Sequence, residues 1–303
     1  MLFQVTILGS GAAIPTIERN PSAQLVEMRN HYFLVDCAEG TQLQLRRFSG
    51  HPQRISHVFI SHLHGDHFFG LIGLITSLHL LGRLNELHIF GPEPLKEIIE
   101  LQLKHSYTEL LYPLVFHAVD AGQVQTILEN EHLTVSTIPL NHRIPTCGYL
   151  FREKILKRNI SRDFADTHTL TQKLYDQIKS GEDYTDDEGK VYPNESITLD
   201  PPKPKAYAYC TDTIYERSII PLIRDVDMIY HEATFAEDKA PDATAKYHTT
   251  ARQAAIIARD AGAGKLVIGH FSARYNDGEK LLKEATEIFP ETVLASDGLS
   301  ILL

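Results

Sequence analysis

The chain alternates between short apolar runs and amphipathic stretches along most of its 303 residues. Runs of four to eight apolar or β-branched residues predict strands, whereas apolar residues three and four positions apart predict helices. The predicted strands are residues 2–8, 31–36, 58–61, 87–90, two within 124–140, 206–210, 265–269 and 292–296. The predicted helices are residues 39–48, 68–82, 94–105, 249–260 and 278–288. Strands outnumber what a simple doubly wound sheet needs, so the pattern favours an α/β fold with two packed sheets and helices outside them.

The pattern changes between residues 151 and 205, where sheet periodicity is unclear and large apolar clusters are few. Residues 151–162 carry one acidic residue, Glu153, and five basic ones, namely Arg152, Lys154, Lys157, Arg158 and Arg162. We expect a single domain over residues 1–303, with residues 151–205 as an inserted arm that projects from the core. The alternative is a plain surface excursion with solvated charges.

Composition narrows the class of protein further. The net charge is −10, so any polyanionic substrate must be met by local basic residues or by metal rather than by the protein as a whole. Three cysteines at positions 37, 147 and 210 cannot all pair, which favours a reducing compartment, the cytoplasm. The N-terminal residues predict a first strand rather than a signal peptide. No apolar stretch of 18 residues exists, so we expect no membrane span.

Four potential metal ligands lie within residues 62–67, which read His-Leu-His-Gly-Asp-His and directly follow a predicted strand. His62 and His64 share one side of an extended segment, and Gly65 lets the chain bend so that Asp66 and His67 point elsewhere. Imidazole and carboxylate groups suit borderline and hard divalent metals. One loop can therefore supply ligands to two metal centres, an arrangement that suits hydrolysis of a phosphoester or an amide.

Three further candidate ligands lie far along the chain, each just past a strand-like run. His142 follows residues 133–140, Asp212 follows 206–210 and His270 follows 266–269. Strand ends are where a rigid sheet holds catalytic loops, so we expect these residues to join the 62–67 block. A carboxylate can bridge two metals, and Asp212 is the carboxylate that stands alone at a strand end.

These residues carry a resemblance to a known family. Besides the block at 62–71, the segments that match it are residues 9–20, 34–42 (LVDCAEGTQ), 231–235 (HEATF), 246–254 (KYHTTARQA) and 270–275 (HFSARY). The chain resembles the ribonuclease Z family within the metallo-β-lactamase superfamily. The central histidine motif is shared across the superfamily, whereas the segments at 231–235 and 246–254 are more discriminating.

The resemblance implies a four-layer αββα sandwich and an endonuclease that cuts the 3′ trailer from precursor tRNA. The products would be tRNA with a 3′-hydroxyl and a trailer with a 5′-phosphate. It also implies two zinc ions per subunit, although His/Asp sites accept manganese as well. By position, one zinc would be held by His62, His64 and His142, the second by Asp66, His67 and His270, and Asp212 would bridge them. Metal–ligand distances of about 2.0–2.2 Å and a metal–metal distance of about 3.5 Å follow.

Further roles follow from the same resemblance. A hydroxide held between the zincs would attack phosphorus, and Asp66 would help to aim it. His248 is the candidate general acid for the leaving 3′ oxygen. Glu232 would hold His248 in the useful tautomer, or would alternatively make only a structural hydrogen bond within its own loop. Ser272 and Arg274 would contact a phosphate.

In the arm, Lys154, Lys157 and Arg158 are expected to contact tRNA, and the family implies a homodimer. Two departures from the family stand out: Thr249 replaces the usual serine, and residues 151–205 lack the glycine-proline-rich tip of many bacterial members. Two other functions compete with this one. The first is a small-substrate hydrolase of the same fold, such as a phosphodiesterase, arylsulfatase or lactonase, which has no use for the arm. The second is a non-catalytic RNA-binding or scaffold protein, against which the complete ligand set argues.

Overall fold

A computed structural model describes residues 2–48 and 51–303. Two mixed sheets of seven strands each dominate this part of the chain. In chain order, the strands of the first sheet are β1 (Phe3–Gly9), β2 (Ala23–Met28), β3 (His31–Cys37), β4 (Ile55–Phe59), β5 (Leu87–Gly91), β6 (Leu114–Ala118) and β18 (Ser300–Leu302). Those of the second sheet are β7 (Thr126–Glu129), β8 (Leu133–Leu140), β9 (Thr146–Glu153), β14 (Ala206–Cys210), β15 (Met228–Glu232), β16 (Leu266–Gly269) and β17 (Thr292–Leu294).

Helices accompany both sheets. In chain order they are α1 (Thr41–Phe48), α2 (Gly65–Phe68), α3 (Leu71–Leu80), α4 (Pro94–His105), α5 (Arg162–Thr167), α6 (Gln172–Lys179), α7 (Asn194–Ile197), α8 (Ala240–Lys246), α9 (Ala251–Asp260) and α10 (Glu279–Thr286). Single 3₁₀ turns form at Pro52–Arg54, Arg217–Ile219 and Glu237–Lys239. In the described part of the chain, no helix combines the length and the apolar character that a membrane span requires.

The two large sheets pack face to face through aromatic side chains. Phe33 and Phe59 of the first sheet lie against Phe151 of the second, with ring centroids 5.7 and 5.6 Å away from that of Phe151. All three side chains are fully buried. Burying one such side chain contributes about 1.5–3 kcal/mol of transfer free energy, so this layer is a major part of the core.

The outer face of each sheet is covered by helices. On the first sheet, Leu74 and Leu78 of α3 pack against Leu34 and Val58 in one apolar cluster. On the second, α9 lies against β15 and β16, and α10 lies against β17. Buried residues recur at Ala254, Ala255 and Ala258 along α9, and their small side chains let the helix approach the sheet closely. The result is the predicted order of layers, helix–sheet–sheet–helix.

Parallel strands bring the carboxyl ends of several elements to the same edge. In the first sheet, β3, β4, β5 and β6 run parallel. In the second, β14, β15, β16 and β17 run parallel. The loops that follow parallel strands emerge together, so residues far apart in sequence can meet there.

Residues 129–133 and 152–204 form a second compact unit with its own small core. Two two-stranded sheets belong to it, one pairing β10 (Asn159–Ile160) with β13 (Thr198–Leu199), the other β11 (Tyr184–Thr185) with β12 (Val191–Tyr192). Phe164, Ile178 and Ile197 form the buried centre. The sequence indicated few apolar clusters here, because these residues are far apart in the chain and converge only through folding.

Most predicted elements are confirmed within a few residues, and α4 coincides with the predicted range of 94–105. The N-cap of α9 is Thr250, whose hydroxyl accepts a hydrogen bond from the Gln253 backbone. The single helix predicted over residues 68–82 is wrong at its start, since α2 ends at Phe68 and α3 begins at Leu71. Strands β2, β6, β9, β15 and β18 were not predicted as separate elements.

Candidate metal centre and active site

The seven predicted ligands converge at the ends of strands in the two large sheets. His62 and His64 follow β4, and Asp66 and His67 lie in the single turn of α2. The remaining ligands follow strands of the second sheet, with His142 after β8, Asp212 after β14 and His270 after β16. Each ligand is therefore anchored by a buried strand or by the short helix next to one.

One group of ligand atoms comprises His62, His64, His142 and Asp212. Nδ1 of His64 lies 3.1 Å from Nε2 of His62 and 3.2 Å from Nε2 of His142. Oδ2 of Asp212 lies 3.7 Å from Nε2 of His62 and 3.7 Å from Nε2 of His142. Four ligands placed tetrahedrally about 2.0–2.1 Å from a zinc ion are about 3.3 Å from one another. The group therefore has the dimensions of a tetrahedral metal site.

A second group comprises Asp66, His67 and His270, with Asp212 again at its edge. Oδ2 of Asp66 lies 3.6 Å from Nε2 of both His67 and His270. Oδ1 of Asp212 lies 3.3 Å from Nε2 of His67 and 3.1 Å from Nε2 of His270. The two oxygens of Asp212 thus face different groups, which is the geometry that a bridging carboxylate requires.

The donor atoms are better placed to bind a metal ion than to form hydrogen bonds with one another. Nε2 of both His67 and His270 is buried and has no hydrogen-bond partner. Such orphaned buried nitrogens are costly unless something binds them. Burial, followed by the neighbouring His67, lowers the pKa of His62 well below its usual value, so its ring stays neutral. A neutral ring keeps the lone pair that a metal needs.

Partners behind the ligands fix their orientation. His142 donates from Nδ1 to the carbonyl of Tyr247 at 3.0 Å, which leaves Nε2 free to bind. Tyr247 caps α8 with a left-handed φ of 60°, and this turn carries its carbonyl to the site. The Thr234 hydroxyl lies 2.9 Å from Nδ1 of His270 and 2.7 Å from Oε2 of Glu232. Donation to the carboxylate leaves the hydroxyl oxygen to accept from His270.

Asp36 supports the second group although the sequence did not single it out. Its buried carboxylate accepts from the Ser61 backbone at 2.8 Å, from Nδ1 of His67 at 2.7 Å and from the Tyr209 hydroxyl at 2.7 Å. The residue has a φ of 54°, an unusual conformation for a side chain other than glycine. The available signal was a carboxylate at the end of the apolar strand β3. Asp36 therefore ties the histidine loop to both sheets.

His248 and Glu232 form a pair at the rim of the two groups. Nδ1 of His248 lies 2.9 Å from Oε1 of Glu232, and the ring centroid of His248 lies 5.3 Å from that of His142. Burial alone would lower the pKa of His248, but the Glu232 carboxylate outweighs burial and raises it to about 9. Glu232 also accepts from the backbone N–H groups of Thr213 and Thr249. The carboxylate thus acts both as a loop anchor and as the partner of His248.

A cavity of about 810 Å³ is lined by His248 and by five of the predicted ligands, namely His64, Asp66, His142, Asp212 and His270. Ser272 and Arg274, the two predicted phosphate contacts, line it together with Arg143 and Lys246. Nε of Arg274 donates to the Ser272 hydroxyl at 3.2 Å, and its guanidinium lies 5.2 Å above the Phe235 ring. Cationic side chains beside the ligand groups give the cavity the chemistry to hold a phosphodiester.

Relatives named ribonuclease Z match this chain over nearly its full length. Ribonuclease Z of Bacteroides fragilis is 47% identical over 301 residues, covering 99% of this chain and 99% of the relative. Ribonuclease Z of Parabacteroides distasonis is 46% identical over 297 residues, covering 98% of each. The chain belongs to the ribonuclease Z family. The resemblance inferred from the motifs is thereby confirmed.

Solved structures agree with this assignment. Human tRNase Z, short form, has a TM-score of 0.71 and 26% identity and covers 98% of each chain. The metallo-β-lactamase fold protein YhfI of Bacillus subtilis has a TM-score of 0.69 and 21% identity and covers all of both chains. The metallo-β-lactamase fold predicted for this ribonuclease Z family member is therefore confirmed. Residues 3–181 also match a sequence family described as anti-Pycsar protein Apyc1. Because this match covers more than half of the chain, the chain belongs to that family as well.

The three predicted arm contacts lie in the second unit of this ribonuclease Z family member. Lys154 pairs with Glu129, Arg158 pairs with Asp200, and Lys157 is exposed. Residues 152–204 hold nine basic and eleven acidic residues, so the segment as a whole is not a basic surface. Any attraction for a polyanion must therefore come from a local group of basic residues. Among Lys154, Lys157 and Arg158, Lys157 is the exposed residue.

Proposed function

We propose that the chain is a zinc-dependent endoribonuclease that removes the 3′ trailer from precursor tRNA. The observation that carries the proposal is the arrangement around Asp212, whose two oxygens face separate groups of ligand atoms beside His248. The ribonuclease Z family consists of endoribonucleases, which hydrolyse phosphodiester bonds. The human relative named tRNase Z supports tRNA as the substrate.

Two cations are proposed for each subunit. His62, His64 and His142 would hold one, Asp66, His67 and His270 would hold the other, and Asp212 would serve both. Divalent ions bound there would supply Lewis acidity toward the phosphate and make water available as a nucleophile at neutral pH. Zinc suits a set dominated by imidazole, and manganese is the other candidate.

The protein's own groups complete the reaction. Water adds to phosphorus and releases a proton to solvent, the bond from phosphorus to the 3′ oxygen of the tRNA breaks, and His248 gives its proton to that oxygen and is reprotonated from solvent. The tRNA leaves with a 3′-hydroxyl and the trailer with a 5′-phosphate. Glu232 keeps His248 protonated and correctly turned, because its carboxylate holds Nδ1 at 2.9 Å. Asp66 receives a hydrogen bond of 2.8 Å from the Ala13 backbone, which fixes the carboxylate beside the reacting phosphate.

Substrate contacts are proposed at two places. Arg274 and Ser272 bind the scissile or adjacent phosphate from the cavity wall. In the inserted arm, proposed over residues 151–205 of a single domain, Lys154, Lys157 and Arg158 approach the tRNA body. We also propose a homodimer that works in the cytoplasm. Support for a reducing compartment comes from Cys37, Cys147 and Cys210, all of which are buried free thiols.

The deciding experiment is incubation of the purified protein with a 3′-extended tRNA transcript and mapping of the cut to the nucleotide. One cut at the junction of tRNA and trailer, with the stated end groups, is expected. A protein that holds metal but leaves this RNA intact would contradict the proposal. Light scattering tests the dimer, since twice the chain mass of 34.2 kDa is expected.

A small-molecule phosphodiesterase is the second candidate, because a cavity of about 810 Å³ also suits a drug-sized ligand. Deletion of residues 152–204 separates the two functions. Loss of tRNA cleavage with retained hydrolysis of a chromogenic phosphodiester supports the tRNA enzyme. Equal activity on both substrates supports the small-molecule enzyme, and loss of both points to a folding role. Lys157→Glu is the matched point variant, since an exposed side chain can change charge without disturbing the core.

A further inference from the structure

Phe69 is a large aromatic side chain left open to solvent on the wall of the active-site cavity. Its side chain is 64% exposed, and it directly follows α2, the turn that carries Asp66 and His67. Ile14, also 64% exposed, lines the same cavity. Two exposed apolar side chains beside ionic catalytic groups do not serve the core, so they are available to a ligand.

The Phe69 ring packs against its own turn of the chain despite its exposure. A Cβ atom built on Gly65 would lie 2.2 Å from the ring, so the ring covers the backbone between the ligands His64 and Asp66. The buried Phe68 ring meets it edge to face, at a centroid distance of 5.0 Å. The Phe69 backbone donates to the Gly65 carbonyl at 3.0 Å. Glycine at position 65 permits this close approach, which places an aromatic surface beside the metal ligands.

We propose that Phe69 is a stacking surface for one unpaired nucleobase next to the scissile phosphate. This inference depends on the proposed function, since it assumes an RNA substrate. The cationic side chains of the cavity hold phosphates, whereas Phe69 offers an aromatic surface that matches the face of a base. Stacking accepts every base, so Phe69 selects an unpaired nucleotide at the cut rather than a particular sequence.

The substrate class follows from this geometry. A base that stacks on Phe69 cannot also be paired and stacked within a duplex. The enzyme is therefore expected to cut an extended RNA only when the nucleotide beside the cut is single-stranded. An oligonucleotide annealed across the junction should block cleavage, whereas one annealed further along the trailer should not.

The chain contains no tryptophan, which provides a direct test. Phe69→Trp introduces a single tryptophan on the cavity wall, which can be excited selectively over the 13 tyrosines, and stacking of a base should quench its emission when the holoenzyme is mixed with 3′-extended tRNA. Tyr107→Trp is the matched control, because Tyr107 is 95% exposed and does not line the cavity. Saturable quenching of the first variant but not of the second is expected.

Kinetics give a second readout. Phe69→Ala should raise KM for 3′-extended tRNA by about 5- to 150-fold with kcat little changed, and Phe69→Tyr should restore it. A transcript with an abasic residue beside the cut should show the same loss with the wild-type enzyme. Phe69→Ala should lose nothing further on that transcript. Additive losses would mean that the side chain acts only on the structure, and they would overturn the inference.

The outcomes separate this inference from the proposed function. Cleavage of the RNA without quenching of Phe69→Trp would overturn the stacking surface and leave the activity intact. Quenching without cleavage by the wild-type enzyme would overturn the activity and leave the stacking surface intact. A change in emission with protein concentration, in the absence of RNA, would assign the side chain to contact between protein chains and would overturn the inference.

Discussion

Oε1 of Glu232 lies 2.9 Å from Nδ1 of His248, and this contact raises the pKa of His248 to about 9 against the opposing effect of burial. A general acid works only while it is protonated, so activity falls as pH rises through its pKa. In Glu232→Gln the supporting negative charge is gone and the pKa of His248 drops. We expect the alkaline limb of the kcat–pH profile on 3′-extended tRNA to move to lower pH. An unmoved limb would show that the pair does not set the protonation of His248.

His248→Ala should lower kcat by about 10²- to 10⁴-fold, the usual contribution of a general acid. Metal content should stay at the wild-type value, which elemental analysis measures. The check is needed because His248 could itself bind metal. One potential ligand atom from each of His248, Asp212 and His270 lies within 4.8 Å of the others. A variant that loses metal along with activity would identify His248 as a ligand instead.

Asp212→Ala should remove both metal ions, since the carboxylate faces both ligand groups. His64→Ala is the matched variant, because its Nδ1 faces only the first group. Elemental analysis after gel filtration should give two ions per wild-type chain, one for His64→Ala and close to none for Asp212→Ala. Equal losses in the two variants would show that Asp212 does not bridge. Circular dichroism confirms that each variant is folded.

Asp36→Ala should weaken metal binding by about 10- to 100-fold, the usual effect of removing a partner behind a ligand. The loss should concern the group that contains His67, because Asp36 holds Nδ1 of that ring at 2.7 Å. Tyr209→Phe removes one hydrogen bond to Asp36 and is the milder control. Metal titration with a competing chelator measures both variants. Wild-type affinity in Asp36→Ala would mean that the ligand loop orients His67 unaided.

His57→Phe should make the fold less sensitive to acid. Burial, followed by the neighbouring His88, lowers the pKa of His57 to about 4, against about 6.5 in an unfolded chain. The unfolded state therefore binds the proton more readily, and the free energy of unfolding falls by about 3 kcal/mol as pH drops from 7 to 4. Phenylalanine keeps the stacking on His88, whose ring centroid is 4.8 Å away, but does not titrate.

Urea unfolding at several pH values measures this effect. The variant should lose less stability than the wild type between pH 7 and pH 4. His105→Phe, at the exposed end of α4, is the control. Identical pH dependence of the wild type and His57→Phe would show that another group governs acid unfolding.

The sequence predicted the site better than it predicted the sheets. His62 to His67 are adjacent in the chain and chemically distinctive, so their spacing alone indicates metal chemistry. Strand β2 (Ala23–Met28) is buried on both faces, as is most of β9 (Thr146–Glu153). Strands buried in this way lack the alternation that marks a half-exposed strand, so neither was predicted. Their positions depend on pairing between distant residues, which a local pattern does not contain.

The supporting residues were harder to predict than the ligands. Asp36 and Thr234 have no distinctive spacing, and each gains its role only when a distant histidine arrives beside it. Phe69 reads as part of an apolar helix, yet it lies in the short break between α2 and α3 and remains exposed. A hydrophobic pattern predicts burial on average and does not identify the exception.

The shared carboxylate of Asp212 also sets an order of events. Without cations, Asp66 and Asp212 place two carboxylates on the cavity wall, in a chain whose net charge is already −10. The two divalent cations proposed above would bring four positive charges against the two carboxylates that would bind them, so the cavity wall would become more positive. Metal loading would therefore strengthen the attraction of a phosphodiester, so metal supply would act on RNA binding and not only on turnover.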